Sequence, residues 1–248
     1  VDKTTLKITT GENIINVYYN KRKDLSYTVN YLERDTNNPI RTAKTKQNQV
    51  FGTEITSSSE IINIDGYDYY ECETDSIIIG TGTNVINIYY TKRQDLKYTV
   101  NYLEKDTNIP VKEAKVVENQ TFGDTIQATS EIEQINGYIF SSTDKTELTI
   151  TTGNNVINIY YVKRNNLTYV VNYIDKETDE VIHEAKVVDG QTFQTEIKAS
   201  NEKIDIDGYN FHSSDKATLV IDTAENEITL YYTKRNDLSY TVNYLEKG

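Results

Sequence analysis

Residues 25–31 read LSYTVNY, and close copies of this stretch stand at residues 96–102, 167–173 and 238–244. The copies begin at residues 25, 96, 167 and 238, which is a constant step of 71 residues. Self-similarity at a fixed period is the signature of a tandem array of one structural unit. The sequence therefore predicts several small domains of the same design rather than one large domain.

The period divides the 248 residues into complete and partial copies of the unit. The predicted domains are a C-terminal hairpin of a preceding repeat at 1–24, complete repeats at 25–95, 96–166 and 167–237, and the first strand of a following repeat at 238–248. A unit cut at 2–72 fits the same period. A unit of about 70 residues buries only about 60% of its unfolded surface, so contacts between neighbours, aromatic packing or a covalent cross-link must add stability.

The composition argues against several classes of function. The net charge of −12 disfavours nucleic acid and anionic membranes as partners. The sequence has no run of 18 apolar residues, so we expect no membrane insertion in this segment. Cysteine occurs once, as Cys72, and neither His183 nor His212 recurs in the other repeats. Without a recurring nucleophile, base or zinc-type cluster, we expect no enzyme, no metal site and no cofactor.

The first half of the unit predicts two strands. Apolar and polar residues alternate through residues 25–31, which is the period of a strand with one buried face. A turn follows, and a second strand is predicted at about residues 40–49. Pro39 precedes it, at a position where no ladder donor is lost.

The second half predicts a helix, a turn and further strands. Residues 53–60 predict a helix of about two turns, capped by Thr53. The Asp-Gly pair before Tyr67 predicts a turn with positive φ, followed by a strand. Residues 77–90 alternate around Gly82, which predicts a hairpin with a positive-φ glycine. One unit therefore reads β-β-(short α)-β-β-β.

Four motifs recur in fixed order in every complete repeat. In the first repeat they are Tyr-x-Val-x-Tyr at 27–31, Phe51 before an isoleucine, Ile-x-Gly-Tyr at 64–67 and Ile-x-x-Tyr-Tyr at 86–90. Together they resemble the MucBP repeat of the mucin-binding-protein family of Gram-positive surface adhesins. The resemblance implies an α+β, mostly β, fold of tandem β-grasp-like (ubiquitin-like) domains. It also implies an elongated rod on an extracellular, cell-wall-associated protein. The first turn lacks the glycine often seen in the family.

The resemblance implies binding of mucin-type glycoprotein or host glycan, and exposed tyrosine rings are a natural platform for a sugar. Alternation in the last strand places one tyrosine of each repeat opposite the buried face. The surface candidates are Tyr18, Tyr89, Tyr160 and Tyr231, with Asn30, Asn101 and Asn172. A second interpretation is that this face also packs, under the helix or against the neighbouring repeat.

Two functions remain open from the sequence. A binding array would contact glycans weakly and gain avidity from repetition, whereas a passive rigid stalk would project another domain from the cell wall. A binding array should repeat the same exposed residues on every unit, and a stalk should repeat surface residues only at the junctions. The partial repeats also predict end-to-end self-contact. Lys44 and Asn30 are a candidate pair for an intramolecular isopeptide bond, which would need a buried lysine with a lowered pKa.

Overall fold

The computed structural model describes all 248 residues. Strands contain 49% of them and short 3-10 helices contain 4%. The chain divides into two compact units, and repeat 2 contributes residues to both. The first unit comprises Val1–Tyr98, Val117–Thr125 and Thr149–Asn155, and the second comprises Thr99–Val116, Ile126–Leu148 and Val156–Gly248.

The first unit contains the whole of repeat 1. Its elements are β1 (Leu25–Glu33), β2 (Pro39–Gln49), β3 (Glu54–Thr56), a 3-10 helix (Ser57–Glu60), β4 (Tyr67–Cys72), β5 (Ser76–Ile78) and β6 (Val85–Lys92). The parallel strands β1 and β6 form the centre of a four-stranded sheet of order β2-β1-β6-β4. The outer strands β2 and β4 run antiparallel to their neighbours, and β3 pairs with β5 in a separate two-stranded sheet.

The same order of elements recurs in the other two repeats. Repeat 2 has β7 (Leu96–Glu104), β8 (Pro110–Gln120), β9 (Thr125–Gln127), a 3-10 helix (Ala128–Glu131), β10 (Tyr138–Thr143), β11 (Glu147–Thr149) and β12 (Val156–Lys163). Repeat 3 has β13 (Leu167–Asp175), β14 (Val181–Gln191), β15 (Glu196–Lys198), a 3-10 helix (Ala199–Asn201), β16 (Tyr209–Ser214), β17 (Thr218–Val220) and β18 (Glu227–Lys234). Their four-stranded sheets, β8-β7-β12-β10 and β14-β13-β18-β16, match repeat 1 strand for strand.

The core of repeat 1 lies on one face of its central strand pair. Tyr27, Val29 and Tyr31 of β1 are at most 2% exposed, and Ile88 and Tyr90 of β6 are at most 1% exposed. The alternation predicted for the first strand is therefore confirmed. Tyrosine suits so thin a domain because its ring fills the core while its hydroxyl still reaches a polar partner.

The structure also confirms two features of the turns. β2 begins at Pro39, an edge-strand position where the missing N–H breaks no ladder. The glycine of the Asp-Gly or Asn-Gly turn has a φ of +80° at Gly66 and +77° at both Gly137 and Gly208. In the first turn Asn37 has a φ of 55°, so an asparagine takes the left-handed position of this turn.

The hairpin predicted at residues 77–90 is wrong. β5 pairs with β3, whereas β6 pairs with β1 and β4. Alternation shows which face of a strand is buried, but it does not identify the partner strand. The loop is closed by Asn84, which accepts from the Gly80 N–H at 2.8 Å and donates to the Ser26 carbonyl at 3.0 Å. Gly82 has no positive φ.

The predicted two-turn helix is also wrong. Residues 54–56 form β3, and only Ser57–Glu60 are helical, as a 3-10 turn. The N-cap is Thr56 rather than Thr53, and its side chain makes no capping hydrogen bond. The segment 53–60 has a single apolar residue, Ile55, which packs on the core from its place in β3. A helix there would have no apolar stripe to bury.

Residues 1–24 and 238–248 contain no strand, so the hairpin and the single strand predicted there are not formed. One backbone contact of the repeats persists, because the Asp2 N–H donates to the Asn16 carbonyl at 3.0 Å. In the complete repeats, the strands β6, β12 and β18 each pair with the first strand of their own repeat.

A buried carboxylate connects β1, β2 and the 3-10 helix of repeat 1. Glu60 is 2% exposed and accepts a hydrogen bond from the Tyr27 hydroxyl at 2.8 Å. Its oxygens also accept from Lys44 Nζ at 2.6 Å and Lys46 Nζ at 3.0 Å. Burial raises the pKa of Glu60, but the two lysines and the tyrosine together outweigh burial and lower the pKa to about 2. The folded repeat therefore favours the ionised carboxylate.

We predict that Glu60→Gln destabilises repeat 1 at neutral pH. The folded pKa of about 2 lies below the ordinary value of 4.5, so the stabilisation is complete above about pH 5 and is lost as the pH falls towards 2. At about 1.36 kcal/mol per pKa unit, the difference of about 2.5 between the two pKa values corresponds to a loss of about 3 kcal/mol at neutral pH. Urea unfolding, followed by the amide resonances of repeat 1, measures it at neutral and acid pH. An equal loss at both would contradict this assignment.

Candidate functional site

The outer face of the repeat 1 sheet carries a ladder of amide side chains. Asn30 Nδ2 donates to Asn87 Oδ1 at 2.8 Å across the parallel pair β1 and β6. Asn87 Nδ2 in turn donates to the Glu73 carboxylate at 2.6 Å. These bonds fix the orientation of both asparagine amides within the repeat, and the Asn30 carbonyl oxygen takes no part in them.

Repeat 2 has the same ladder, whereas repeat 3 lacks the second asparagine. Asn101 Nδ2 donates to Asn158 Oδ1 at 2.8 Å, and Asn158 Nδ2 donates to Asp144 at 3.1 Å. In repeat 3 the register pairs Asn172 with Thr229, so the second amide is absent. The recurring asparagine therefore has a side-chain partner inside its own repeat in repeats 1 and 2.

The predicted tyrosines fall into two groups. Tyr89 is half-buried on β6, two residues from Asn87 and therefore on the same face as Asn30. Tyr160 has the equivalent position on β12, beside Asn101. Tyr18 lies in the strand-free segment and is 71% exposed. The structure thus brings Tyr89 together with Asn30, and Tyr160 with Asn101, but leaves Tyr18 outside any such surface.

A second aromatic position was missed by the sequence reasoning. Tyr69, Phe140 and Phe211 stand 71 residues apart on the edge strands β4, β10 and β16. Their rings meet the buried tyrosine of the last strand edge-on, with centroid distances of 6.2, 6.3 and 5.7 Å. Tyr69 is 46% exposed and Phe140 is 41% exposed. The common period was visible in the sequence and marks these residues as a recurring aromatic surface.

The junction between repeats 1 and 2 lies in the first unit and is closely packed. The Phe122 ring covers Gly66, where an added Cβ would lie 2.4 Å from three ring carbons. The same ring meets Tyr67 edge-on at a centroid distance of 5.5 Å. The connector residue Arg93 also contributes two backbone hydrogen bonds to the junction. Its N–H donates to the Gly66 carbonyl at 3.0 Å, and its carbonyl accepts from the Phe122 N–H at 2.9 Å.

The junction between repeats 2 and 3, in the second unit, repeats this geometry. An added Cβ on Gly137 would lie 2.4 Å from the Phe193 ring, and Tyr138 meets that ring at 5.6 Å. A side-chain hydrogen bond closes each junction. Thr152 donates to Asp65 at 2.7 Å in the first, and Thr223 donates to Asn136 at 2.8 Å in the second. Both junctions are thus built from the same residues of the repeat, apart from the Asp65-to-Asn136 exchange.

The proposed isopeptide pair does not meet. Lys44 pairs in register with Val29 on the core side of the sheet, where its ammonium binds Glu60. Asn30 lies on the opposite face and binds Asn87. Consecutive residues of a strand point to opposite faces, so the two side chains lie on different sides of the sheet.

No group of three or more His, Cys, Asp or Glu side chains is placed to hold a metal ion. None of the helices has the length and apolar character needed to cross a membrane.

Comparison with known proteins gives a limited result. No protein-family model matches the chain, and no curated protein matches it. A solved structure that matches is described as Streptococcal High Identity Repeats in Tandem (SHIRT) domains 3-4 from cell surface protein. The identity is 11%, the match covers 56% of this chain and 98% of that chain, and the TM-score is 0.22. Similarity at this level assigns neither a family nor an activity, and the MucBP resemblance remains a hypothesis based on sequence motifs.

We predict that Asn30→Ala destabilises repeat 1 by about 1 kcal/mol, because Asn87 loses its hydrogen-bond donor. Asn172→Ala is the matched control, since Thr229 replaces the second asparagine there, and it should cost less. Urea unfolding, followed by amide resonances of the substituted repeat, compares the two. Equal losses of stability in the two variants would show that the asparagine ladder does not stabilise the repeat. A glycan that binds the wild-type chain but not the Asn30 variant would show that this face of the sheet is a ligand site.

Proposed function

We propose that this chain is the repeat region of an extracellular protein of a Gram-positive bacterium, and that its main task is to act as a stiff, non-catalytic spacer. The observation that supports this most directly is the packing of a phenylalanine ring of one repeat on a glycine of the preceding repeat. This contact occurs twice, with the same residue types and nearly the same distances. A flexible linker has no need of such contacts. The MucBP resemblance in the sequence motifs agrees with a surface-protein setting.

The strand order supports a β-grasp-like unit as part of this proposal. The first and last long strands run parallel at the centre of the sheet, and the two remaining long strands flank them. In a β-grasp domain a helix crosses one face of such a sheet. Here the 3-10 helix and the β3–β5 pair occupy the corresponding part of the chain.

The connector between repeats also favours stiffness. The strands β6 and β7 are separated by only three residues, and the connector Arg93 is bonded on both sides through its backbone. Its side chain donates to Asp95 through two nitrogens, at 2.9 and 2.8 Å. A short connector held by four hydrogen-bonding groups restricts the angles available at the junction.

Weak multivalent binding of mucin-type glycan is the second candidate function. The recurring half-exposed aromatics at Tyr69 and Phe140 favour it, because the same type of ring is offered by successive repeats. The asparagine ladder does not favour it, since its amides bond within the sheet. The spacer proposal rests on more of the observed contacts, and the two functions are compatible.

We predict that Gly66→Ala loosens the junction between repeats 1 and 2. The new methyl group would lie 2.4 Å from the Phe122 ring, so the ring must move away from residue 66. Gly208→Ala is a close control, because Gly208 has nearly the same φ, +77° against +80°, but nothing lies within 4 Å of its added Cβ. The control therefore carries the backbone strain without the clash.

Amide ¹⁵N relaxation measures the tumbling of repeats 1 and 2 in both variants. For the spacer, the two repeats should tumble together in wild type and in Gly208→Ala, and separately in Gly66→Ala. Independent tumbling of the repeats in the wild-type chain would overturn the proposal.

A further inference from the structure

Repeat 2 has an open groove with a volume of about 710 Å³. It lies in the second unit, between the segment 132–137 and the strands β10 and β12. Its lining includes the half-exposed Phe140 ring, which packs against Tyr161, and the residues Arg164 and Asn166. This volume is within the range of about 300 to 1,000 Å³ that is usual for small-molecule sites.

Arg164 differs from the equivalent arginines in its lack of a partner. Arg22, Arg93 and Arg235 are each held by the aspartate two residues later, through paired hydrogen bonds of 2.8 to 3.0 Å. In repeat 2 that aspartate is replaced by Asn166, and the Arg164 side chain makes no hydrogen bond or ion pair. A guanidinium that lines a groove and has no carboxylate partner is a potential receptor for an anion.

The other carboxylates around this arginine are absent from repeat 2 as well. Asp95, Asp68 and Asp65 surround Arg93 and raise the pKa of its guanidinium. Their counterparts around Arg164 are Asn166, Ile139 and Asn136, none of which carries charge. Repeat 3 keeps two of the three, Asp207 and Asp237. The arginine is thus retained in repeat 2 while every neighbouring acid of repeat 1 has been exchanged for a neutral residue.

The one acidic residue that lines the groove is already neutralised. Glu133 forms an ion pair with Lys112 and accepts from the Tyr102 hydroxyl at 2.8 Å. Lys112 first, and Tyr102 next, lower the pKa of this carboxyl. Glu133 is therefore engaged by Lys112 and Tyr102, and Arg164 is the one cationic residue that lines the groove.

We propose that the groove of repeat 2 binds an acidic saccharide, with the carboxylate on Arg164 and a sugar ring against Phe140. The planar guanidinium can hold a carboxylate through two parallel hydrogen bonds. The Phe140 ring offers an apolar face to sugar C–H groups, and the side chains of Gln134 and Asn166 offer amides to the hydroxyls. Repeats 1 and 3 lack this combination, because their arginines are occupied by aspartate. The proposal does not depend on the spacer function.

The test is a titration of the full 248-residue chain, followed by amide chemical shifts. The probe is a hyaluronan tetrasaccharide, which carries glucuronate carboxylates, and the neutral comparison is tetra-N-acetylchitotetraose. We expect the acidic probe to cause saturable shifts at residues 132–140 and 164–166, with no comparable shifts in the equivalent segments of repeats 1 and 3. The neutral sugar should bind at least about tenfold more weakly, since a hydrogen-bonded charge pair is lost.

Asn166→Asp is the decisive variant. It gives Arg164 the partner that the other arginines have, keeps the arginine itself and copies a geometry the chain already uses, so the fold should be preserved. We expect it to weaken binding of the acidic probe by about tenfold or more. Arg164→Gln should have a similar effect, and Phe140→Ala should weaken the acidic and neutral sugars alike.

Four results would overturn the proposal. The first three are an absence of saturable shifts with the acidic probe, equal binding of the acidic and neutral sugars, and unchanged binding by Asn166→Asp. The fourth is tighter binding of an acetylated tetraglutamate amide at the same resonances, which would make the groove a site for acidic peptides. None of these results bears on the tumbling measurement that tests the spacer function.

Discussion

The pairing of the first and last long strands is the constraint on which each repeat depends. β1 and β6 are parallel and central, so the chain enters a repeat at one end of its sheet and leaves at the other. At about 3.3 Å per residue, a nine-residue strand separates the two ends by about 30 Å. The same pair carries the core, because the tyrosine, valine and isoleucine side chains of both strands meet on one face. Everything else in the repeat covers that face or extends the sheet sideways.

The junctions follow from this arrangement. Only three residues separate the last strand of one repeat from the first strand of the next, so the connector has little conformational freedom. The Asp-Gly turn before β4 presents a backbone without a side chain, and the phenylalanine after β8 fills that space. Gly66 and Gly137 are therefore needed for two reasons, a left-handed φ and room for a ring. A domain of about 70 residues gains from such contacts what its small core cannot supply.

The sequence predicted the period because four segments spaced 71 residues apart are close copies. It predicted the buried face of the first strand, the proline start of β2 and the glycine turn because each is a local signal. It failed at residues 77–90, where alternation cannot show that β5 and β6 have different partners, and at 53–60, where a polar segment was assigned to a helix without an apolar stripe. Of the site candidates, Tyr89 and Asn30 do share a face, but the Asn30 bond to Asn87 depends on a pairing 57 residues away. In the sequence, the only sign of the unpartnered Arg164 was that Asn166 replaces the aspartate of the other repeats. That replacement becomes informative only once the structure shows that the aspartates of the other repeats bind the arginine.

Hydrogen exchange at the junction amides tests the central claim most directly, since it needs no substitution. The Phe122 N–H donates to the Arg93 carbonyl of the preceding repeat at 2.9 Å, and the Phe193 N–H donates to the Arg164 carbonyl at 2.8 Å. If successive repeats are joined by a folded contact, these two amides should be protected to a degree similar to the amides of the β4–β6 and β10–β12 ladders beside them. Exchange at the rate of an unstructured peptide, with the strands of repeats 1 and 2 still protected, would show that the repeats are separate domains on a flexible connector.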